Sequence, residues 1–175
     1  SLPSDLGTLF AINKMNKAVK KVEVFHSAFG GASGGTIESI FTMGRLPKEM
    51  RDPFLLNPKG SVSELQRGSS KDSIKIKWID EAKKWSGLGL FAVANTRVVR
   101  RSAALMEMSQ KPYGANFIFK EHGAYLSKSA ARLATFGLIV AFLIISTPLK
   151  HLVRRFLPKP GEGPSTEIQE KGWFK

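Results

Sequence analysis

The chain contains no cysteine. That excludes a disulfide scaffold, a thiolate-held zinc or iron–sulfur site and a thiol nucleophile within it. Histidine is scarce, with three residues. His26 has no second histidine or carboxylate at ligand spacing, so no metal site is expected. Acidic side chains are few, 14 against 27 Lys+Arg, for a net charge of +13. The excess favours anionic partners. There is no block of five or six like charges. Zinc fingers, aromatic RNA-binding motifs and basic zippers are also missing, so nucleic acid is not an expected partner. Ser1–Phe10 lacks the basic stretch and apolar core of a signal peptide. A start at Ser1 instead of methionine predicts a processed chain or a piece of a longer one.

What is present is enough to fold. The 175 residues are 42% hydrophobic and 23% charged, outside the range of disordered chains. Ser4 and Asp5 after Pro3 predict a helix start with Ser4 as the cap. Leu6, Leu9, Phe10, Ile12, Met15 and Val19 follow near helical spacing. Val22–Phe29 reads as a strand carrying a half-buried His26. The run Gly30–Gly35 leads into a predicted helix from Thr36 to Met43, stopped by Gly44. Strand, glycine loop and helix in that order offer free N–H groups at a helix start, which can hold an anion. The glycines do not match G-x-G-x-x-G, and no Lys-Ser/Thr follows as in a P-loop. Two readings remain: a tight backbone turn, or contact between Ser33, Gly34, Gly35 and Thr36 and an anionic or carbonyl group.

Residues 45–73 read as irregular, with Phe54-Leu55-Leu56 as an apolar plug and Ser61–Ser73 as a polar surface excursion. Ile74–Ile79 alternates and predicts a strand with Ile74, Ile76 and Trp78 inward. Leu90–Ala94 reads as strand-like. Asn95–Met108 reads as a helix capped by Asn95 or Thr96. Its Arg97, Arg100 and Arg101 fall within an arc of about 100°. They suit either a solvated basic face or contact with an anion or cofactor phosphate. Ala115–Lys120 is a strand candidate, with His122 in a polar turn after it.

Leu133–Leu149 holds no charged residue over 17 positions, at the lower limit for a membrane-spanning helix. Its apolar residues include Leu133, Phe136, Leu138, Ile139, Phe142, Leu143, Ile144 and Ile145, with no polar stripe. Membrane contact is therefore expected. Leu149, Leu152, Val153 and Phe156 then alternate with Lys150, His151, Arg154 and Arg155, as in a basic helix lying in a headgroup region. The chain divides into an α+β region (1–126), an apolar and amphipathic helical segment (127–157) and an extended polar tail (158–175).

Several short motifs recur in one order: Pro3-Ser-Asp-Leu-Gly7, Gly31-Ala-Ser-Gly-Gly-Thr-Ile37, Asp52-Pro-Phe-Leu-Leu-Asn-Pro58, Val98-Val-Arg-Arg-Ser102 and Leu157-Pro-Lys-Pro-Gly-Glu-Gly-Pro-Ser165. Together they resemble the C-terminal part of the saccharopine dehydrogenase-like oxidoreductases, a group related to bacterial trans-acting enoyl reductases. The resemblance implies a two-part parent. A Rossmann domain ahead of Ser1 would bind NAD(P), and this chain alone would bind none. The chain would supply the substrate half: a mixed sheet with covering helices plus a C-terminal apolar helix. Ser33, Gly34, Gly35, Thr36, Arg100 and Arg101 would face the cleft. The resemblance further implies lipid or glycolipid metabolism at a membrane or lipid-droplet surface, with the mitochondrion as another site. A second copy of the chain is a further partner to test. The alternative is a non-catalytic lipid-surface or scaffold protein on the same fold.

Overall fold

A computed structural model describes residues 2–43, 52–70 and 74–174. The expected Gly44 stop, and the parts of the 45–73 stretch at 45–51 and 71–73, lie outside the described residues. Helix α1 (Leu2–Met15) is followed by strand β1 (Lys21–His26), strand β2 (Ala28–Phe29) and helix α2 (Gly34–Met43). Next come α3 (Glu64–Ser69), β3 (Trp78–Ile79), β4 (Lys84–Gly87), α4 (Ala92–Met108) and β5 (Ile118–Tyr125). The chain continues through α5 (Lys128–Ile145), α6 (Lys150–Val153), α7 (Thr166–Lys171) and β6 (Trp173–Phe174).

The fold is α+β, as read from the sequence, with a mixed four-stranded sheet in the order β1-β5-β4-β3. β1 and β5 are parallel, with Val24 opposite Glu121 and His26 opposite Gly123. A parallel pair needs a long crossover, and here everything from β2 to α4 serves as one. β5, β4 and β3 run antiparallel. Because side chains alternate across a strand, Val22, Val24 and Phe119 share one face. There they pack with Ile12, Val19, Val99, Ala103, Tyr113 and Phe117 under α1 and α4. Full burial of Val99 and Phe119 is worth roughly 1.5–3 kcal/mol each.

Helix α1 is turned the opposite way from its apolar pattern. Ser4, Thr8 and Ile12 face inward, while Leu2, Leu6 and Phe10 are exposed. Ser4 is therefore not the cap. The helix starts at Leu2, and Pro3 is tolerated in its first turn. The surface beneath that turn is polar, and a hydroxyl suits it better than leucine.

Other boundaries move for local reasons. The predicted strand 22–29 breaks at Ser27, because Ala28 and Phe29 pair with β6 in a separate two-stranded ribbon. The tail is thus not extended throughout but folds back through α7. In the Ile74–Ile79 stretch only Trp78 and Ile79 pair, and the parity is reversed: Ile79 is buried, whereas Ile74 and Trp78 are exposed. Leu90–Ala94 is not a strand. Helix α4 begins at Ala92, and Asn95 and Thr96 lie buried inside it instead of capping it. The Ser61–Ser73 excursion contains α3, whose Ser63 hydroxyl and Gln66 side chain form a reciprocal capping box. β5 runs on to Tyr125, which places His122 in the sheet and not in a turn.

Helix α5 is capped by Ser127, whose hydroxyl accepts from Ala130 N at 3.1 Å. Ala131, Thr135 and Ile145 are its buried residues, and it packs on β4 and β5. The Thr135 hydroxyl accepts from Leu88 N at 3.1 Å. Leu133, Phe136 and Leu143 are exposed. Among the described residues it is the one helix long and apolar enough to cross a membrane. The core helix of a soluble protein meets the same length and composition test. The expected amphipathic helix after it is short, since α6 gives way to a 3-10 turn at Arg154–Phe156.

Candidate functional site

The sequence-selected residues fall into two separate places. At the start of α2, the Ser33 hydroxyl accepts from Thr36 N (3.3 Å) and lies 3.1 Å from the Thr36 hydroxyl. Ile37 N donates to Ser33 O, and Gly34 N donates to Glu162 O at 2.8 Å. The tail packs so closely here that a Cβ on Gly34 would stand 1.7 Å from Lys159 O. Gly34 is required by this contact, which is the tight-turn reading. Gly35 stays exposed. The cradle is filled by the chain's own residues 159–162, so this loop does not fit a dinucleotide pyrophosphate.

Arg100 is 3% exposed, which corrects the solvated-face reading for this residue. Its guanidinium donates to Ser70 O (2.6 Å), Pro53 O (3.3 Å) and Phe119 O (3.3 Å) and lies over the Phe54 ring. Arg101 donates to Leu56 O, and Arg97 to Val93 O. These arginines hold backbone carbonyls. Arg100 and Arg101 pin the 52–70 segment to α4 and β5.

The structure also assembles a polar cluster that the sequence scatters. Glu121 on β5 is buried in the sheet face under α1 and α4. The Ser4 hydroxyl donates to its Oε2 at 2.7 Å, and Asn95 Nδ2 donates to its Oε1 at 2.7 Å. His26 Nε2 stands 3.2 Å from Ser4 Oγ and 3.5 Å from Glu121 Oε2. Burial alone would push the Glu121 carboxyl up. The hydrogen bonds from His26, Ser4 and Asn95 outweigh that, and its pKa lies below the ordinary glutamate value. Ser4 is 3% exposed, and its proton is committed to Glu121, so it is no nucleophile. The His26 side chain, 19% exposed, is the member that meets the surface. It sits at the carboxyl end of β1, which pairs in parallel with β5. The arrangement can orient one imidazole against a fixed carboxylate.

On the opposite sheet face, His122 stacks on Phe25 (5.2 Å, 16°) with Glu23 Oε1 at 3.6 Å. Neither ring nitrogen has a hydrogen-bond partner among the described residues. Burial pushes its pKa down, more strongly than Glu23 raises it. Burial raises Glu23 in turn, but Lys21, Lys77 and His122 bring its pKa below the ordinary value. Among the described residues no group of three or more His, Asp or Glu is placed to hold a metal ion.

No protein-family model matches the chain, and no solved structure matches it. Curated proteins do. A Mycobacterium tuberculosis protein named, provisionally, as a trans-acting enoyl reductase is 30% identical, covering all of this chain and 46% of the relative. The trans-acting enoyl reductase of Mycobacterium bovis BCG is 32% identical over 81% of this chain and 38% of its own length. That of Mycobacterium ulcerans is 29% identical, covering 82% and 38%. The chain spans less than half the length of these relatives. It is homologous to proteins named as trans-acting enoyl reductases, an oxidoreductase class.

Proposed function

We propose that the chain is the substrate-side part of a nicotinamide-dependent oxidoreductase of the saccharopine dehydrogenase-like group. The parent would reduce a carbon–carbon double bond in a lipid-type acyl substrate. The carrying observation is the similarity to enoyl reductases along the whole chain. The relatives' remaining length has room for the dinucleotide-binding domain, and the filled glycine loop supports placing that site outside this chain. Within the chain, His26 is the residue we assign to the substrate, oriented by Glu121, Ser4 and Asn95. Calorimetric titration of the full-length protein with NADPH and NADH tests the reading. Saturable heat is expected with at least one. A folded full-length protein that gives none with either overturns it.

A second reading, compatible with the first, places the protein at a membrane or lipid-droplet surface. Leu133, Phe136, Leu143, Leu149, Leu152 and Phe156 are exposed on one continuous stretch of chain with Lys150 and Arg155 among them. Flotation with anionic vesicles tests it. The intact protein is expected to float, and a Leu133→Asp/Phe136→Asp variant to remain in the soluble fraction. Equal soluble recovery of both would remove the support.

A further inference from the structure

A cleft between α2 and α5 is lined by Ile37, Ile40 and Phe41 from one helix and Leu138, Phe142 and Ile145 from the other. Leu90 and Leu157 complete the lining, and Ala141, exposed, stands at the mouth. Among the described residues every lining side chain is aliphatic or aromatic, and no polar atom faces the space. A ligand that brought an amide, sugar hydroxyl or phosphate into it would leave that group without a hydrogen-bond partner, at a cost of a few kcal/mol. The volume is about 130 Å³. Apolar cavities near that size take up benzene-sized guests, which suits a short run of methylene groups and is too small for a fused ring system.

The rim is basic. Arg154 lies over the ring of Phe41, a lining residue, and pairs with Glu38 at 2.6 Å. Lys150 lies one turn before Arg154, and His151 and Arg155 line a neighbouring groove with Leu149 and Leu152. Among the described residues of this group only Arg154 is ion-paired, to Glu38, so positive charge remains beside the cleft. An apolar slot beside a cationic rim is complementary to one chemistry: an alkyl chain attached to an anionic head.

We propose that this cleft binds the aliphatic chain of an anionic amphiphile, a fatty acyl carboxylate being the simplest case. That the chain belongs to the enzyme's own substrate rests on the enoyl-reductase reading; the selectivity of the cleft does not.

The test uses the full-length protein and the fluorescent polyene fatty acid cis-parinarate, without nucleotide. Saturable binding is expected, with displacement by dodecanoate and far less by butanoate or by the cationic dodecyltrimethylammonium. Ala141→Trp fills the mouth from an exposed position. It should weaken binding about tenfold, the loss from keeping roughly two methylene groups out of an apolar site. Leu157→Trp enters from the other side and should act alike, while Leu133→Trp on the outward face should change nothing. Circular dichroism melting identifies the variants that fold. No saturable binding by the wild type, or equal affinity in the folded cleft variants, overturns the proposal. Chain binding without NADPH binding leaves the cleft standing and removes the enoyl-reductase reading; NADPH binding with unchanged parinarate affinity in Ala141→Trp does the reverse.

Discussion

Between α1, α4 and the sheet, seven buried side chains from Ile12 to Phe119 close on one another, and a carboxylate is enclosed beside them. Between α2 and α5, the buried cluster among the described residues is Ile37, Phe41 and Ile145, with a cleft beside them. The same kinds of side chain serve both regions. What differs is the number of elements that converge. Two helices over a sheet leave no gap and can enclose a hydrogen-bonded polar group. Two helices and two leucines, Leu90 and Leu157, leave an apolar cleft. The closed region carries stability, and the open one is free to carry a ligand.

The comparison breaks first on cavity mutants. Phe119→Ala should cost about 4 kcal/mol and Ile145→Ala about 2 kcal/mol, because the open region can relax around the loss. Urea midpoints measure both, and equal losses would erase the distinction. Acid comes next. Burial lowers the His122 pKa, so the unfolded chain takes up the proton first, and stability should fall as pH drops below the ordinary histidine value of 6.5. Hydrogen bonding lowers Glu121 and ion pairing lowers Glu23 in spite of burial, so a second loss should follow below the ordinary value of 4.5. All three groups lie on the sheet. His122→Phe, which keeps the stack on Phe25, should abolish the upper loss in thermal melts across pH, and its persistence would place the sensitive group elsewhere. Gly34→Ala should cost about 1.5 kcal/mol by pushing residues 159–162 off the α2 start. Limited proteolysis should show the tail cut sooner with the sheet intact. Smallest, Ser63→Ala removes one half of the α3 capping box and should cost about 1 kcal/mol in chemical denaturation.

Local signals were legible and tertiary ones were not. β1 and the body of α4 follow from patterning, and α5 from its uncharged apolar run. Ser63-Glu-Leu-Gln66 carries a cap signature that the polar look of its surroundings concealed. The orientation of α1 could not be read, because its apolar residues face out and its hydroxyls meet a carboxylate from β5. His26 is a half-buried strand histidine, as its surroundings suggest. Its neighbour Glu121 becomes visible only once β1 and β5 pair in register. Arg100 resembles its neighbours on a basic arc until the 52–70 segment folds over it.

The parallel pairing also sets a timetable. Ser27 Oγ bonds Ala124 O across 97 residues, so β1 cannot find its partner until those residues have been made. At typical elongation speeds the wait is about 5–20 s. Throughout it, Leu2, Leu6 and Phe10, which stay outward even in the finished fold, stand beside an unpaired strand edge. Newly made chains should therefore depend on chaperones that shield apolar segments on the ribosome.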